Sequence, residues 1–434
     1  MEAAPTEAKN VFTVRNYRLV FFGALVSELG ALLYSFAVSF YILDISDNNA
    51  FLQGLYLALC GAFTLLATTV GGVLGDRYNK GRIMSVCDFL RGGIILLATL
   101  LMLLFKSSSA QLAALFAAGI LGSVVGGIFN PSASGLLPLI VEESRLQQAN
   151  SYFSVKSSLL SILGVVLAGI LYGTVSVYLL FAAVGVCYLL SGVSEMFIRY
   201  KNEKPEERLT LGVMLSDMRE GIRYVRGQKA IMALMAAILF INFFMSPVFN
   251  NFIPYFIKTD VAGASGYLFD NLLTPELWYS LLSVLIGVSS LAAALILSAR
   301  KQADKCGHKT AIRLAMEPAL LIIVTVGYWL LVDRGASLNA FLIMLSAVSV
   351  ITGAIITGVN IPLNTALMRI VDKDKLSKVS SIITISAQGL VPIASVLAGL
   401  ILQYLGTTTL LAFCTVGMSA AAIFLLFNKA VKEI

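Results

Sequence analysis

The chain has 434 residues, of which 58% are hydrophobic and only 13% are charged. A soluble core of this size does not need such an apolar excess, so the composition indicates a protein that crosses a membrane many times. The formal net charge is +7, but the basic residues fall between apolar segments and not along one face. This distribution excludes nucleic acid as a partner.

The apolar segments predict an all-α membrane protein with twelve transmembrane helices in two six-helix bundles related by pseudo-two-fold symmetry. We expect cytoplasmic tails at 1–16 and 429–434, an N-terminal bundle at 17–198 and a C-terminal bundle at 230–428. A polar linker, 199–229, divides them and has the periodicity of an amphipathic helix lying along the inner membrane surface. The predicted spans are 17–43, 51–75, 82–105, 110–138, 149–173, 176–198, 230–258, 277–299, 311–332, 338–368, 378–405 and 408–428.

The distribution of basic residues orients the chain. Of its 31 Lys and Arg residues, 27 lie in or beside the tails and loops on the side of Asp76, three (Lys106, Lys258 and Arg334) lie on the other side, and Arg91 lies inside a span. Cytoplasmic loops of membrane proteins carry the excess of Lys and Arg, so we expect both termini in the cytoplasm of a multi-pass cell-membrane protein. We further expect a monomer in contact with membrane lipids.

Little in the sequence suggests metal or enzyme chemistry. The five cysteines lie singly, and the one histidine is His308. Metal coordination needs clustered ligands, so we predict no metal site, no cofactor and no enzyme. The chain also lacks a G-x-x-x-x-G-K-S/T loop, which argues against an ATP-driven pump.

Two halves of the chain share a pattern. The segment from Ile140 to Gly169 recurs as Ile370 to Gly399, with matching apolar and acidic positions. Spans four and five therefore correspond to spans ten and eleven, which predicts an internal repeat. In transporters built from such repeats, the substrate path lies between the halves near the bilayer midplane.

A charged turn between the second and third spans carries a recognisable motif, Gly71-Gly72-Val73-Leu74-Gly75-Asp76-Arg77-Tyr78-Asn79-Lys80-Gly81-Arg82. It resembles the cytoplasmic loop between helices 2 and 3 of the major facilitator superfamily, although Asn79 replaces the usual second glycine. Asp304 begins a weakened copy in the second half. The resemblance implies conformational roles near this loop, including an ion pair of Asp88 with Arg91, and the gating residues are then Gly72, Gly75, Asp76, Arg77, Lys80, Arg82, Asp88, Arg91 and Asp304.

A second resemblance narrows the branch of that superfamily. Asn130-Pro131-Ser132-Ala133 and Asp217-Met218-Arg219-Glu220-Gly221 are similar to segments of the macrolide-exporter-like branch and its lysophospholipid-transporter relatives. The branch exports bulky, partly apolar molecules. Val165 stands where drug antiporters often have proline, and their arginine on span four is absent, so the resemblance departs from the proton-driven drug antiporters.

A charge in the middle of a bilayer is costly, so acidic residues within spans are candidates for function. Glu28 is deep in the first span and Glu317 lies about two turns into the ninth, and both are candidates for proton coupling. We expect Glu195 to be interfacial. The candidate substrate-binding residues are polar or aromatic side chains in spans that face the expected cavity, namely Tyr34, Asn242, Phe243, Asn250 and Gln388.

Together these features predict a secondary active transporter that works by alternating access. We expect it to export a small amphiphilic or drug-like molecule in exchange for protons. The sequence leaves open a uniporter, an importer or a lysophospholipid flippase of the same fold. A membrane receptor that transports nothing is the alternative from another class.

Overall fold

A computed structural model describes residues 10–200, 223, 229–298, 307–370 and 387–427. Asp304 and, apart from Arg223, the predicted linker helix lie outside the described residues. The backbone of Asp76 and Arg77 is described but their side chains are not.

The described chain is all-helical and contains twelve helices long and apolar enough to cross a membrane. The predicted fold class is thereby confirmed. The helices are α1 Arg15–Ile45, α2 Ala50–Arg77, α3 Lys80–Leu104, α4 Ser108–Ile140, α5 Glu143–Leu159 with Val165–Thr174, α6 Val177–Met196, α7 Lys229–Pro247 with Ile253–Phe256, α8 Pro275–Ser298, α9 Gly307–Tyr328, α10 Leu338–Ile370, α11 Val391–Leu405 and α12 Thr407–Phe427.

Three of these helices contain π-helical turns, a feature that hydropathy does not predict. They are Leu160–Gly164 in α5, Val248–Phe252 and Ile257–Val261 in α7, and Trp329–Asp333 at the end of α9. The first π-helical turn of α7 directly follows Pro247. Proline cannot donate to the helical ladder, and a wider turn accommodates the lost bond.

The connection between α2 and α3 is shorter than the predicted spans, which end at 75 and begin at 82. Only Tyr78 and Asn79 separate the two helices, and the Asn79 side chain caps α3 by accepting a hydrogen bond from the Arg82 amide at 3.0 Å. Asn79 has an extended backbone with a φ of −63° and a ψ of 113°, as is usual for a residue that caps the start of a helix.

The chain divides into two compact units. Of the described residues, the first unit holds 10–38 and 63–200, and the second holds 39–62, 223, 229–298, 307–370 and 387–427. The helix α1 thus runs from the first unit into the second.

In the first unit, α3 packs closely against α6. The Ser85 hydroxyl donates to the Gly192 carbonyl at 2.8 Å, and a methyl group at Gly185 would lie 2.6 Å from Cγ of Leu96. Hydroxyl-to-carbonyl bonds and small residues allow helices to approach closely where hydrocarbon supplies no hydrophobic force between them.

In the second unit, the tip of the α1–α2 hairpin packs against α11. The Ala50 amide donates to Oε1 of Gln403 at 2.9 Å, and a methyl group at Gly399 would lie 2.6 Å from the Ala50 carbonyl. Elsewhere in this unit the hydroxyls of Thr325 and Thr415 join α9 to α12 at 2.8 Å.

The crossing of α2 and α4 gives a direct test of this close packing. A methyl group at Gly127 would lie 2.6 Å from both Cβ of Ala67 and the Thr64 carbonyl oxygen, whereas one at Gly122 would have no heavy atom within 4 Å. We expect Gly127→Ala to lower the free energy of unfolding by about 1–3 kcal/mol, because the helices must separate. Gly122→Ala, on the same helix, should stay within about 1 kcal/mol of wild type. Thermal unfolding in detergent compares the two, and equal midpoints would contradict the tight crossing.

Candidate functional site

Glu28, the acidic residue within the first predicted span, is paired with a buried lysine. Nζ of Lys156 on α5 lies 2.5 Å from Oε1 of Glu28 on α1. The Lys156 side chain is 1% exposed and that of Glu28 is 44% exposed. The ammonium also lies 4.6 Å from the centre of the Phe153 ring.

The sequence pattern counted Lys156 among the cations of the cytoplasmic side, and the structure adds that its ammonium is buried against Glu28. Hydropathy shows where Lys156 lies along the chain. It does not show that the side chain is buried, because burial depends on how α5 is rotated toward α1. Within the pair, the Glu28 carboxylate is partly exposed, whereas the Lys156 ammonium is buried.

The second unit holds the other predicted acid in a different environment. Glu317 on α9 is 4% exposed, and neither of its carboxyl oxygens has a hydrogen-bond partner among the described residues. It lines a cavity of about 30 Å³ with mostly apolar neighbours from α7, α9 and α10, together with Ser349 and Thr352. This volume accommodates one or two water molecules.

A carboxyl group in such a cavity is strongly disfavoured as a bare anion, because burial without a partner leaves its charge unsolvated. Glu317 is therefore suited to hold a proton. Pro318 follows it directly and lies inside α9, where it removes one backbone hydrogen bond.

The predicted substrate residues do not form a single hydrogen-bonded group. Asn242 is partly buried and donates to the Ile238 carbonyl of its own helix at 2.9 Å. Asn250 is exposed and donates to Oγ of Ser246 at 3.0 Å. Both side-chain amides thus donate hydrogen bonds to acceptors one turn earlier in α7, as polar side chains within helices often do.

The other predicted substrate residues are placed as follows. The ring of Phe243 lies 5.0 Å from that of Phe244 in an edge-to-face arrangement. In the first unit, the Tyr34 ring lies 5.5 Å from that of Phe181. Gln388 is exposed just before α11. The role of all five residues in binding a substrate stays a prediction.

Around the motif loop, the structure gives Lys80 a clear structural role. Its Nζ donates to the Gly75 carbonyl at 2.5 Å and its backbone amide donates to the Tyr200 hydroxyl at 2.7 Å. A methyl group at Gly75 would lie 3.1 Å from Oγ of Ser132, while Gly72 has open space around it. Lys80 therefore joins the end of α2 to the start of α3 and to Tyr200, which follows α6.

The predicted pair of Asp88 with Arg91 is present, with Oδ1 of Asp88 3.4 Å from a terminal nitrogen of Arg91. Glu195 lies in the last turn of α6, is 1% exposed and interacts electrostatically with both. Its position at the membrane interface stays a prediction. The helix α1 covers its side chain, since a methyl group at Gly23 would lie 3.6 Å from its Cγ.

A network missed in the sequence joins three helices of the second unit. Nζ of Lys258 lies 2.8 Å from Oδ1 of Asp44 and 2.9 Å from Oε1 of Glu276. Asp44 lies at the end of α1, Lys258 in the second π-helical turn of α7 and Glu276 at the start of α8. The three charges are separated widely in sequence, so only the position of Lys258 on the less basic side of the chain hinted at them.

Most of the chain matches a known family. The model of the Major Facilitator Superfamily matches residues 20–394. The uncharacterized MFS-type transporter YvqJ of Bacillus subtilis (strain 168) is 22% identical over 427 residues, which are 96% of this chain and 93% of YvqJ. YkuC of the same organism, described in the same words, is 22% identical over 241 residues, and the match spans 54% of this chain and about half of YkuC, 55%.

Solved structures share the fold. A mutant form of the peptide transporter POT superposes with a TM-score of 0.73 at 14% identity over 98% of each chain. A bacterial homologue of the iron transporter ferroportin gives 0.72 at 15% identity over 96% of this chain and 99% of that one. A mutant form of the nucleoside transporter NupG gives 0.71 at 10% identity over 95% of this chain and 100% of that one.

Proposed function

Since this chain belongs to the Major Facilitator Superfamily and is a multi-pass membrane transporter, we propose that it exports a small amphiphilic molecule in exchange for protons by alternating access. The observation that carries the proposal is the ion pair of Glu28 with Lys156, in which a buried cation holds a half-exposed carboxylate at 2.5 Å. Proton binding at that carboxylate removes the negative charge from a place where its partner cannot reach water.

A change in the protonation of Glu28 could couple proton binding to the movement of the helices. When Glu28 is ionised, the pair is neutral and holds α1 against α5. When Glu28 gains a proton, Lys156 is left buried and unpaired, an arrangement that costs several kcal/mol. The protein lowers that cost by moving α1 or α5, so the two protonation states favour different packings.

The surroundings of the candidate residues support the proposed class of cargo. Aromatic rings such as Phe243 and Phe244 offer apolar contact, and the amides of Asn242 and Asn250 offer few, scattered polar contacts. A partly apolar molecule suits this mixture. It also agrees with the branch that the segment around Asn130 resembles.

Reconstitution in proteoliposomes tests the proposal. The vesicles are loaded with ethidium or erythromycin as probes, and efflux is followed with and without an imposed pH gradient. We expect the gradient to accelerate efflux of at least one probe through the wild-type protein. Equal rates with and without the gradient would remove the proton from the mechanism, and gradient-independent movement of lysophosphatidylcholine would favour the flippase. Absence of protein-dependent flux for every probe would contradict the proposed amphiphilic cargo.

Glu317 gives a sharper test of proton coupling in the second unit. We expect Glu317→Gln to abolish the part of efflux that depends on the pH gradient, because an amide cannot carry a proton through the cycle. Its free energy of unfolding should change by no more than about 0.5 kcal/mol, because the neutral acid and the amide are close in size and charge.

The control is Glu142→Gln, since the Glu142 side chain is 70% exposed. Thermal unfolding and gradient-driven efflux are measured on both variants. Gradient-driven efflux through Glu317→Gln at the wild-type rate would exclude Glu317 from coupling.

A further inference from the structure

We propose that Asp88, Arg91 and Glu195 form a proton-binding site inside the first unit, distinct from the Glu28 pair, and that Glu195 holds the proton. The inference does not rest on the proposed function, since it concerns one buried cluster and its charge. The ligand is a single proton delivered by water.

The one cation of the cluster is committed to Asp88. The Asp88 side chain is fully buried and its Oδ1 lies 3.4 Å from a terminal nitrogen of Arg91. The guanidinium also lies over two aromatic rings, 4.7 Å from the centre of Phe129 and 5.5 Å from that of Tyr188. These contacts fix the guanidinium on its own helix and toward α4 and α6.

Glu195 is left as a buried acid without a counterion of its own. It is 1% exposed, and neither carboxyl oxygen has a hydrogen-bond partner among the described residues. The titratable groups around the cluster are Asp88 and Arg91, the thiol of Cys87 on α3 and the hydroxyl of Tyr188 on α6. The neighbouring helix α1 contributes backbone, through Gly23.

Counting charge decides the protonation state. Two carboxylates and one guanidinium would leave a net negative charge buried with no further cation among the described neighbours. One added proton makes the cluster neutral, as Asp88 and Arg91 remain an ion pair and Glu195 becomes a carboxylic acid. The neutral arrangement avoids the cost of several kcal/mol for an unpaired buried charge.

Access to this proton is controlled by α1. A methyl group at Gly23 would lie 3.6 Å from Cγ of Glu195, so the helix backbone covers the side chain. The Ser191 hydroxyl donates to the Gly23 carbonyl and the Ser194 hydroxyl donates to the Leu19 carbonyl, each at 3.0 Å. When α1 separates from α6, water reaches Glu195, and the acid dissociates to a carboxylate and a proton taken up by that water.

Infrared spectroscopy of the full-length protein in lipid nanodiscs tests the inference. We expect wild type at neutral pH to show the carbonyl band of a buried, protonated carboxyl group that Glu195→Gln removes. Carbon-13 labelling of glutamate should shift this band. Glu142→Gln, at an exposed side chain, should remove no such band, and Glu317→Gln serves to subtract the contribution of the second unit.

If Glu195→Gln fails to fold, Asp88→Asn tests the same proton site independently. Without Asp88, Arg91 is free to balance Glu195, so the same band should be lost while glutamate remains in place. A wild-type spectrum without the band, or a band retained in both variants, would overturn the proton site. A band that glutamate labelling does not shift would overturn the assignment to Glu195.

Discussion

Glu28→Gln is expected to lower the free energy of unfolding by about 3 kcal/mol, because it leaves the buried ammonium of Lys156 without its counterion. Lys156→Met should cost less, about 1 kcal/mol, because the Glu28 side chain that it leaves behind is 44% exposed and can be hydrated. The difference between the two single variants is the diagnostic quantity. It follows from the unequal exposure of the two partners.

The double variant Glu28→Gln with Lys156→Met completes the cycle. Removing both charges leaves neither unpaired, so the stability should recover most of what Glu28→Gln loses. The matched control is the pair of Glu142 with Arg145, which lies at 3.4 Å with the Glu142 side chain 70% exposed. Neutralising that pair should change stability by less than about 1 kcal/mol.

Transport separates the structural role of the pair from its role in coupling. We expect the double variant to fold but to lose efflux driven by a pH gradient, because no ionisable group remains at this position. Thermal unfolding and efflux are measured on the same preparations. A double variant that is stable and still driven by the gradient would show that the pair only holds α1 to α5.

The number of helices could be read from the sequence because hydropathy reports the transfer of a segment into hydrocarbon, a property of the segment alone. The second span illustrates this, since 51–75 was predicted and the helix is Ala50–Arg77. The seventh was predicted as one helix, 230–258, whereas the structure divides it with π-helical turns after Pro247. Such turns depend on how neighbours satisfy the backbone, which hydropathy does not measure.

The candidate site was only half visible in the sequence. Glu28 and Glu317 stand out as acids within apolar segments. Their environments differ because of which helices pack against them, and the sequence does not show that packing. Lys156 reaches Glu28 across 128 positions, and no local spacing links them. Glu195 shows the same limit, because its burial depends on α1 passing over it at Gly23.

Lys258→Met is expected to have the largest effect on the second unit, lowering the free energy of unfolding by about 3 kcal/mol. The ammonium is the shared partner of Asp44 at 2.8 Å and of Glu276 at 2.9 Å, so its loss leaves two carboxylates together. Removing one acid should cost less, because Lys258 keeps the other. Glu276→Gln should cost more than Asp44→Asn, since the Glu276 side chain is 12% exposed and that of Asp44 is 37% exposed.

The order of the three losses in the free energy of unfolding tests whether Lys258, Asp44 and Glu276 stabilise the protein together. Lys106→Met, at an exposed lysine on the same predicted side of the membrane, controls for the general loss of a positive charge and should stay within about 0.5 kcal/mol of wild type. Thermal unfolding in detergent gives the order, and equal losses for Lys258→Met and Lys106→Met would contradict the network. Because α1 runs from the first unit to Asp44 in the second, the same helix carries Glu28, covers Glu195 and ends in this network.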